Sequence, residues 1–271
     1  GVPTGFHALD CALGGLQRSD LLILAARPGQ GKSSLALNIA RHVVYQHQRH
    51  VALFSLEMSR SQLVQRLLSL ESEIDQHRLR MGWLHDADWE RIVTSVDTLS
   101  EGTFWIDDSD GLSIAALRGR ARRLQARVGL DLIVVDYLQL MQATIEGKRH
   151  HNREQEIAEI SRGLKGIAKE LNVPVLALAQ LSRAVESRAS KVPQLSDLRE
   201  SGAIEADSDV VLFIYREEQP SAADAAPTHG QQTADIIIAK HRNGPVGYVR
   251  LGWEPRQTKF FNLEELSSAT R

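Results

Sequence analysis

The sequence predicts an α/β fold with a mostly parallel central sheet flanked by helices and an antiparallel hairpin near the carboxyl end. Three observations support this. Five short apolar runs are continuous rather than alternating, as in parallel strands buried on both faces. Helical patterns with one apolar stripe separate these runs, and an Asn-Gly pair lies between two later strand-like runs. With 271 residues, 42% of them hydrophobic, the chain is predicted to form a single domain over residues 1–271.

The predicted strands and helices alternate along the chain. The strands span residues 21–26, 51–56, 132–136, 173–180 and 210–215. Apolar residues recur every three or four positions over 114–128 and again over 157–171, which predicts two amphipathic helices. Ser113 suits the start of the first helix and Gly129 its end. The alternation favours a doubly wound parallel sheet.

The last part of the chain has a different character. Residues 217–233 contain almost nothing to bury and predict a long surface loop. Two strand-like runs then flank Asn243 and Gly244, a pair typical of hairpin turns, although Pro245 leaves the turn type open.

Bulk composition excludes several classes of protein. A net charge of -2 gives no global basic field, so contact with nucleic acid must come from local clusters. Cys11 is the one cysteine; it cannot form an internal disulfide and is predicted to be a small buried hydrophobe in a reducing cytoplasm. No apolar run approaches the ~18 to 20 residues of a membrane span, so no membrane partner is expected. The chain starts inside a patterned segment, and we expect a fragment of a longer protein.

A phosphate-binding loop is predicted at residues 26–34, ARPGQGKSS, between an apolar strand and an apolar helix. Glycines let backbone amides turn towards phosphate oxygens, Lys32 adds positive charge, and the Ser33 hydroxyl can ligate magnesium. Ala26 stands where such loops often have a first glycine. The predicted nucleotide contacts here are Arg27, Pro28, Gly29, Gln30, Gly31, Lys32, Ser33 and Ser34.

Three other strands each end in a polar side chain, and open α/β sheets bind ligands at the carboxyl ends of their strands. Phosphoryl transfer needs an acid for the magnesium shell, a group that positions the attacking water, and a sensor of the terminal phosphate. Asp136, Glu57 and Gln180 suit these roles in that order. The alternatives without a catalytic role are a turn cap for Asp136, a first-turn helix acid for Glu57 and a surface amide for Gln180.

Basic residues concentrate in three segments. Residues 118–123, RGRARR, lie opposite the apolar stripe of their predicted helix and are interpreted as a solvated face. The basic residues of 148–153 and 183–191 lie on polar segments that follow the third and fourth strands. These two segments could project towards a common centre and follow a phosphate backbone.

The motifs resemble, in order, those of DnaB-family replicative helicases: GVPTGFHALD, AARPGQGKS, FSLEMS, VVDYLQLM, LAQLSR, DLRESGAIEADSDVV and AKHRNGP. They cover almost the whole chain, and SLEMS, DYLQL and the RESG block are far more specific than a phosphate-binding loop alone. The resemblance implies a RecA-like fold, a homo-hexameric ring, ATP at subunit interfaces and single-stranded DNA in the central channel. It further implies a helicase loader and a primase as partners of the full-length protein, whose preceding domain we expect to be missing.

The same resemblance implies roles for individual residues. Glu57 becomes the water-activating acid and Asp136 the Walker B acid, reaching magnesium through water. Arg66 in LVQRL becomes a nucleotide-site contact, with a helical surface arginine as the ordinary alternative. DNA contacts are implied for the side chains of Arg199 and Glu200 and for the backbone of Gly202.

Lys240 and Arg242 are two apart on a predicted strand, so their side chains leave the same face roughly 7 Å apart. The resemblance places their hairpin across the subunit interface. This implies that Arg242 is an arginine finger acting on a neighbour's ATP, with Lys240 as its companion; a solvated basic hairpin end is the alternative. At the level of function, the alternatives are a RecA-like recombinase and a nucleotide-gated DNA-binding or loading module without sustained turnover.

Overall fold

A computed structural model describes residues 1–142, 153–188, 190–198, 202–217 and 232–263. The strands are β1 (Leu21–Ala26), β2 (Val51–Ser55), β3 (Phe104–Asp107), β4 (Leu132–Asp136), β5 (Val175–Gln180), β6 (Val210–Tyr215), β7 (Gln232–His241), β8 (Gly247–Glu254) and β9 (Lys259–Phe261). The α-helices are α1 (His7–Leu13), α2 (Lys32–His47), α3 (Arg60–Ser72), α4 (Gln76–Met81), α5 (Asp86–Glu101), α6 (Ile114–Val128), α7 (Arg153–Leu171) and α8 (Gly202–Asp207).

The strands form one sheet in the order β3-β2-β4-β5-β1-β6-β7-β8-β9. The six strands from β3 to β6 run parallel, and β7, β8 and β9 are antiparallel additions. This arrangement confirms the predicted parallel sheet with a carboxyl-terminal hairpin. In the register, Ala26 pairs with Gln180 and Ser55 pairs with Asp136. The loops that follow these strands therefore meet at one edge of the sheet.

Both faces of the sheet are covered, which explains why the strand sequences are continuously apolar. Alternate residues of β1 enter different cores: Leu22 and Leu24 pack on the α2 side, while Leu21 and Ile23 pack on the side of α6 and α7. All six β1 residues are buried. A strand whose two faces are both covered has no polar face to alternate with.

Helix α6 begins and ends where the sequence predicts. The Ser113 hydroxyl accepts a hydrogen bond from the Ala116 amide at its start, and the Gly129 amide donates to the Gln125 carbonyl at its end. The edge strand β3 and helices α4 and α5 were not predicted. Only the two ends of the predicted 217–233 loop lie within the described residues.

The prediction for Cys11 is wrong. It lies exposed on α1, with its Sγ 3.6 Å from His7 Nε2, because α1 buries Leu9 and Leu13 instead. Within the described ranges, no helix combines the length and the apolar character that crossing a bilayer requires.

Candidate nucleotide site and interface residues

The predicted phosphate-binding loop joins the end of β1 to the start of α2. Gly29 and Gly31 have φ angles of 75° and 96°, a left-handed conformation that side chains other than glycine rarely adopt. A Cβ on Gly31 would lie 3.0 Å from the Phe260 ring, so packing also restricts this position. Among the residues that the structure describes, no side chain caps the start of α2. The first-turn amides of the helix are thus available to an anion.

A cavity of about 320 Å³ opens above this loop. Its lining combines residues from four parts of the chain: Ala26, Arg27, Pro28, Gly29, Gly31, Lys32, Ser33, Ser34, Glu57, Met58, Arg66, Gln180, Trp253 and Thr258. The structure therefore brings most of the predicted nucleotide contacts together. Gln30 points elsewhere, and its Oε1 accepts a hydrogen bond from the Arg216 amide at 3.0 Å.

Lys32 lies at the centre of the charged groups. Its Nζ is 3.3 Å from Asp136 Oδ1, 3.8 Å from Glu57 Oε2 and 4.2 Å from the centre of the Tyr137 ring. The Asp136 side chain is only 2% exposed, yet within the described part of the chain its Oδ1 accepts no hydrogen bond. Buried carboxylate oxygens normally have such partners. Asp136 is therefore suited to accept from a water in the shell of a cation.

Two further predicted residues approach this cavity from different elements. Burial lowers the pKa of the Arg66 guanidinium, while the charges of Asp136 and Glu57 oppose that effect. The Gln139 side chain contacts the end of β5, donating to the Gln180 carbonyl at 3.0 Å and accepting from the Gln180 amide at 3.2 Å. The paired bonds fix the backbone from which the Gln180 side chain projects.

Three residues that sequence reasoning did not identify pack beneath the phosphate-binding loop. The Arg216 guanidinium donates to the Gly29 carbonyl and lies 4.9 Å from the centre of the Trp253 ring. Trp253 in turn packs against Phe260, with ring centroids 4.5 Å apart. These residues come from β8, β9 and the end of β6, and no local motif marks them.

The predicted finger lies at the opposite end of the sheet. Arg242 Nη1 is 3.2 Å from Asp209 Oδ1, and its side chain remains 51% exposed. Lys240 Nζ donates to the carbonyls of Glu205 and Ser208 at the end of α8. Lys240 and Arg242 thus point to the same region, as their spacing predicts, but the Lys240 ammonium is already occupied within its own chain.

Asp209 connects Arg242 to the central strand. Its carboxylate also accepts from the Leu21 amide at 2.8 Å and from Lys165 Nζ. Arg242 therefore lies beside the start of β1, whereas the phosphate-binding loop follows its end. Six extended residues span about 20 Å. An Arg242 side chain held here cannot reach the cavity of its own chain.

Of the residues with predicted DNA contacts, Gly202 lies within the described part of the chain. Gly202 is exposed and forms the first residue of α8. Arg199 and Glu200 lie outside the described residues, as does most of the basic segment 148–153. The Arg188 guanidinium lies 2.6 Å from the Asp197 carboxylate just before this block.

Comparison with known sequences gives concordant matches. The family model described as "DnaB-like helicase C terminal domain" matches residues 1–262. The Replicative DNA helicase DnaB of Geobacillus stearothermophilus is 48% identical over 264 residues, covering 97% of this chain and 57% of that protein. The Replicative DNA helicase DnaC of Bacillus subtilis (strain 168) gives the same identity and coverage. The chain thus spans a little over half the length of these relatives.

Solved structures agree in fold. One ATPase domain of known structure superimposes with a TM-score of 0.87 at 35% identity, covering 97% of this chain and 91% of that one. A DnaB-like replicative helicase, whose structure describes its interactions with primase, also gives 0.87 at 35% identity, covering 97% of this chain and 62% of that one. With the family match and the 48% identity, these findings show that the chain belongs to the DnaB-like helicase C-terminal domain family.

Proposed function

We propose that this chain is the ATP-hydrolysing motor of a replicative DNA helicase, which moves along single-stranded DNA as a ring of six copies. The observation that carries the proposal is the placement of two half-sites. Lys32, Glu57 and Asp136 converge at the carboxyl end of the sheet, and Arg242 is held at the amino end. Each copy therefore offers a nucleotide cavity on one side and a guanidinium on the other.

The residues at the carboxyl end suit ATP with Mg²⁺. The amides of residues 29–34 and the Lys32 ammonium would bind the phosphates, with Arg66 and Gln180 at the cavity wall. Ser33 would hold Mg²⁺ directly and Asp136 through water; Asp136 Oδ1, which accepts no hydrogen bond from the described residues, fits this role. Mg²⁺ supplies charge neutralisation for phosphoryl transfer. Glu57 is half-exposed at the cavity and would accept the proton of the attacking water.

The two half-sites support a head-to-tail assembly. Arg242 of one copy would enter the cavity of the next, where a planar guanidinium can bridge phosphate oxygens as charge develops. Lys240 would act as its companion once it leaves the α8 carbonyls. Head-to-tail contacts form rings when the rotation between copies closes. The proposed number of six rests on the resemblance to ring helicases.

The proposed DNA contacts are Arg199, Glu200 and Gly202 on the loop that precedes α8, together with the basic segments of residues 148–153 and 183–191. The likeness to a helicase described with primase supports primase, and a helicase loader, as partners of the longer protein. The bacterial relatives support a cytoplasmic location.

The test is ATP turnover with and without single-stranded DNA, measured together with mass by light scattering. We expect turnover to rise with DNA and with assembly into a closed ring. Filaments that exchange strands would identify a recombinase instead. Nucleotide binding without sustained turnover in the assembled protein would identify a gated binding or loading module.

A further inference from the structure

A second cavity, of about 490 Å³, lies at the β3 edge of the sheet. Its floor comes from β2 and β3, its wall from α6, and its rim from the start of α3. The lining residues that bear on its chemistry are Arg60, Trp105, Asp107, Arg120, Arg123 and Arg127. This volume falls in the range of about 300 to 1,000 Å³ typical of small-molecule sites.

The cavity has an excess of positive charge. Two of its four arginines are paired: Arg120 lies 2.5 Å from Asp107, and Arg60 lies 3.5 Å from Asp108. Arg123 and Arg127 are exposed, and no carboxylate pairs with either among the residues that the structure describes. Unpaired guanidinium groups gathered at one concavity attract anions, and their fixed fork suits phosphate oxygens.

Other arginines of α6 show that this excess is local. Arg118 and Arg122 both contact Glu170 on α7, away from the cavity. The RGRARR segment is therefore not the uniformly solvated face that its sequence predicts. Arg118 and Arg122 connect α6 to α7, whereas Arg120 and Arg123, together with Arg127, line the cavity.

Trp105 supplies a second requirement for a ligand. Its indole Nε1 is buried and has no hydrogen-bond acceptor within the described ranges. Buried indole donors normally have a partner, so an acceptor is missing here. The Arg127 guanidinium lies 5.8 Å from the centre of the Trp105 ring, so the unpaired charge lies beside the indole that carries the unpaired donor.

We propose that this cavity binds a nucleotide unit, with a phosphate against Arg123 and Arg127 and an acceptor atom of the base against Trp105 Nε1. Nucleotides combine these two features, since their bases carry ring nitrogens and carbonyl oxygens that accept hydrogen bonds. The unit is either a free nucleotide or one residue of a single strand.

The cavity is separate from the phosphate-binding loop. Three strands lie between β3 and β1, which places the two strands about 19 Å apart at the usual strand spacing. Binding here therefore goes beyond the proposed motor function, and the two sites can be removed independently.

The experiment is calorimetric titration of the intact chain with ADP, followed by anisotropy with a fluorescent oligothymidylate. The test variant is Arg123→Ala with Arg127→Ala. The matched control is Arg118→Ala with Arg122→Ala, which removes the same charge from the same helix. Thermal melts establish that both variants fold.

If free nucleotide is the ligand, the wild-type chain binds two ADP molecules and the test variant binds one. Lys32→Ala should abolish ADP binding at the phosphate-binding loop. The two variants therefore test the nucleotide site of the proposed motor and the β3-edge cavity separately. Each lost guanidinium should weaken ADP binding at the β3-edge cavity about tenfold, as expected for a charge-assisted hydrogen bond. If a strand is the ligand, one ADP binds throughout, and only the test variant weakens oligothymidylate binding. Unchanged ADP stoichiometry together with unchanged oligothymidylate affinity in the test variant overturns the proposal.

Discussion

Asp136 and Arg66, at the carboxyl end of the central sheet, differ from Asp209 and Lys240, at its amino end, in how completely their side chains are hydrogen-bonded. At the carboxyl end, the buried Asp136 Oδ1 and the buried Arg66 Nε have no hydrogen-bond partner among the described residues. At the amino end, Asp209 accepts from Leu21, Lys165 and Arg242, and Lys240 donates to two carbonyls. Unpaired polar atoms beside a cavity mark a site that a ligand completes. Asp209 and Lys240, whose bonds are made within the chain, instead form a rigid mount for an arginine that remains half-exposed.

The largest expected effect on ATP turnover comes from removing the Lys32 charge at the carboxyl end of the sheet. Lys32→Ala should reduce ATP turnover to background without unfolding the chain, because the Lys32 side chain lines the cavity at the start of α2 and is not part of the hydrophobic core. Turnover and circular dichroism are measured together, with the exposed Lys169→Ala as control. An unchanged turnover rate would contradict the phosphate-binding assignment.

Arg242→Ala should lower DNA-stimulated turnover by about 10³-fold or more, the size of effect expected for an arginine finger. Arg242→Lys should not restore it, because the planar fork is lost. The control is Arg250→Ala, which removes an exposed arginine of the same hairpin that is paired with Asp235.

Mixing the Arg242→Ala and Lys32→Ala chains tests whether the finger acts between subunits. Some interfaces of the mixture pair an intact loop with an intact finger, so part of the turnover should return. Assembled mixtures that remain inactive would refute action in trans.

Glu57→Gln should keep nucleotide binding and cut hydrolysis by ~100-fold, as expected when a general base is lost. Glutamine preserves the shape of the side chain, and Glu90→Gln on the exposed face of α5 is the control. Fluorescent-nucleotide binding and turnover are compared in the same preparation. Loss of binding would instead make Glu57 a structural residue or a metal ligand.

The smallest expected effect is a change in the free energy of unfolding from Asp20, at the amino end of the sheet. Burial, and then the nearby charge of Asp209, raise the pKa of Asp20. A carboxyl whose folded-state pKa is raised favours the folded state most when it is protonated, and this contribution is lost as pH rises through that pKa. Asp20→Asn should therefore increase the free energy of unfolding at neutral pH, with a gain that disappears near pH ~4. Urea unfolding at both pH values measures this, with Asp110→Asn as control; an equal gain at both would exclude the charge explanation.

Sequence reasoning succeeded where one local pattern determines the structure. Continuous apolar runs identified the buried parallel strands, and the polar residues after three of these runs marked the edge of the sheet at which the nucleotide cavity opens. It failed where the determinant is distant in sequence. Strand β3 has only four half-buried residues and no distinctive pattern. Trp253 lies on β8, far from the phosphate-binding loop in sequence, yet it lines the same cavity. The contacts of Lys240 with α8 likewise depend on the packing of a separate element.

The separation of the loop and Arg242 by the length of β1 gives the molecule a polarity that sets how many sites work in an assembly. Under the proposed action of Arg242 on a neighbour's nucleotide, a single chain holds both halves of the site but completes none. An open row always has one site fewer than it has chains, because one terminal cavity has no donor. Only closure gives every chain a complete site, since a ring has no ends. Activity per chain should thus rise stepwise with assembly: zero for the monomer, half for a dimer, and full only at closure.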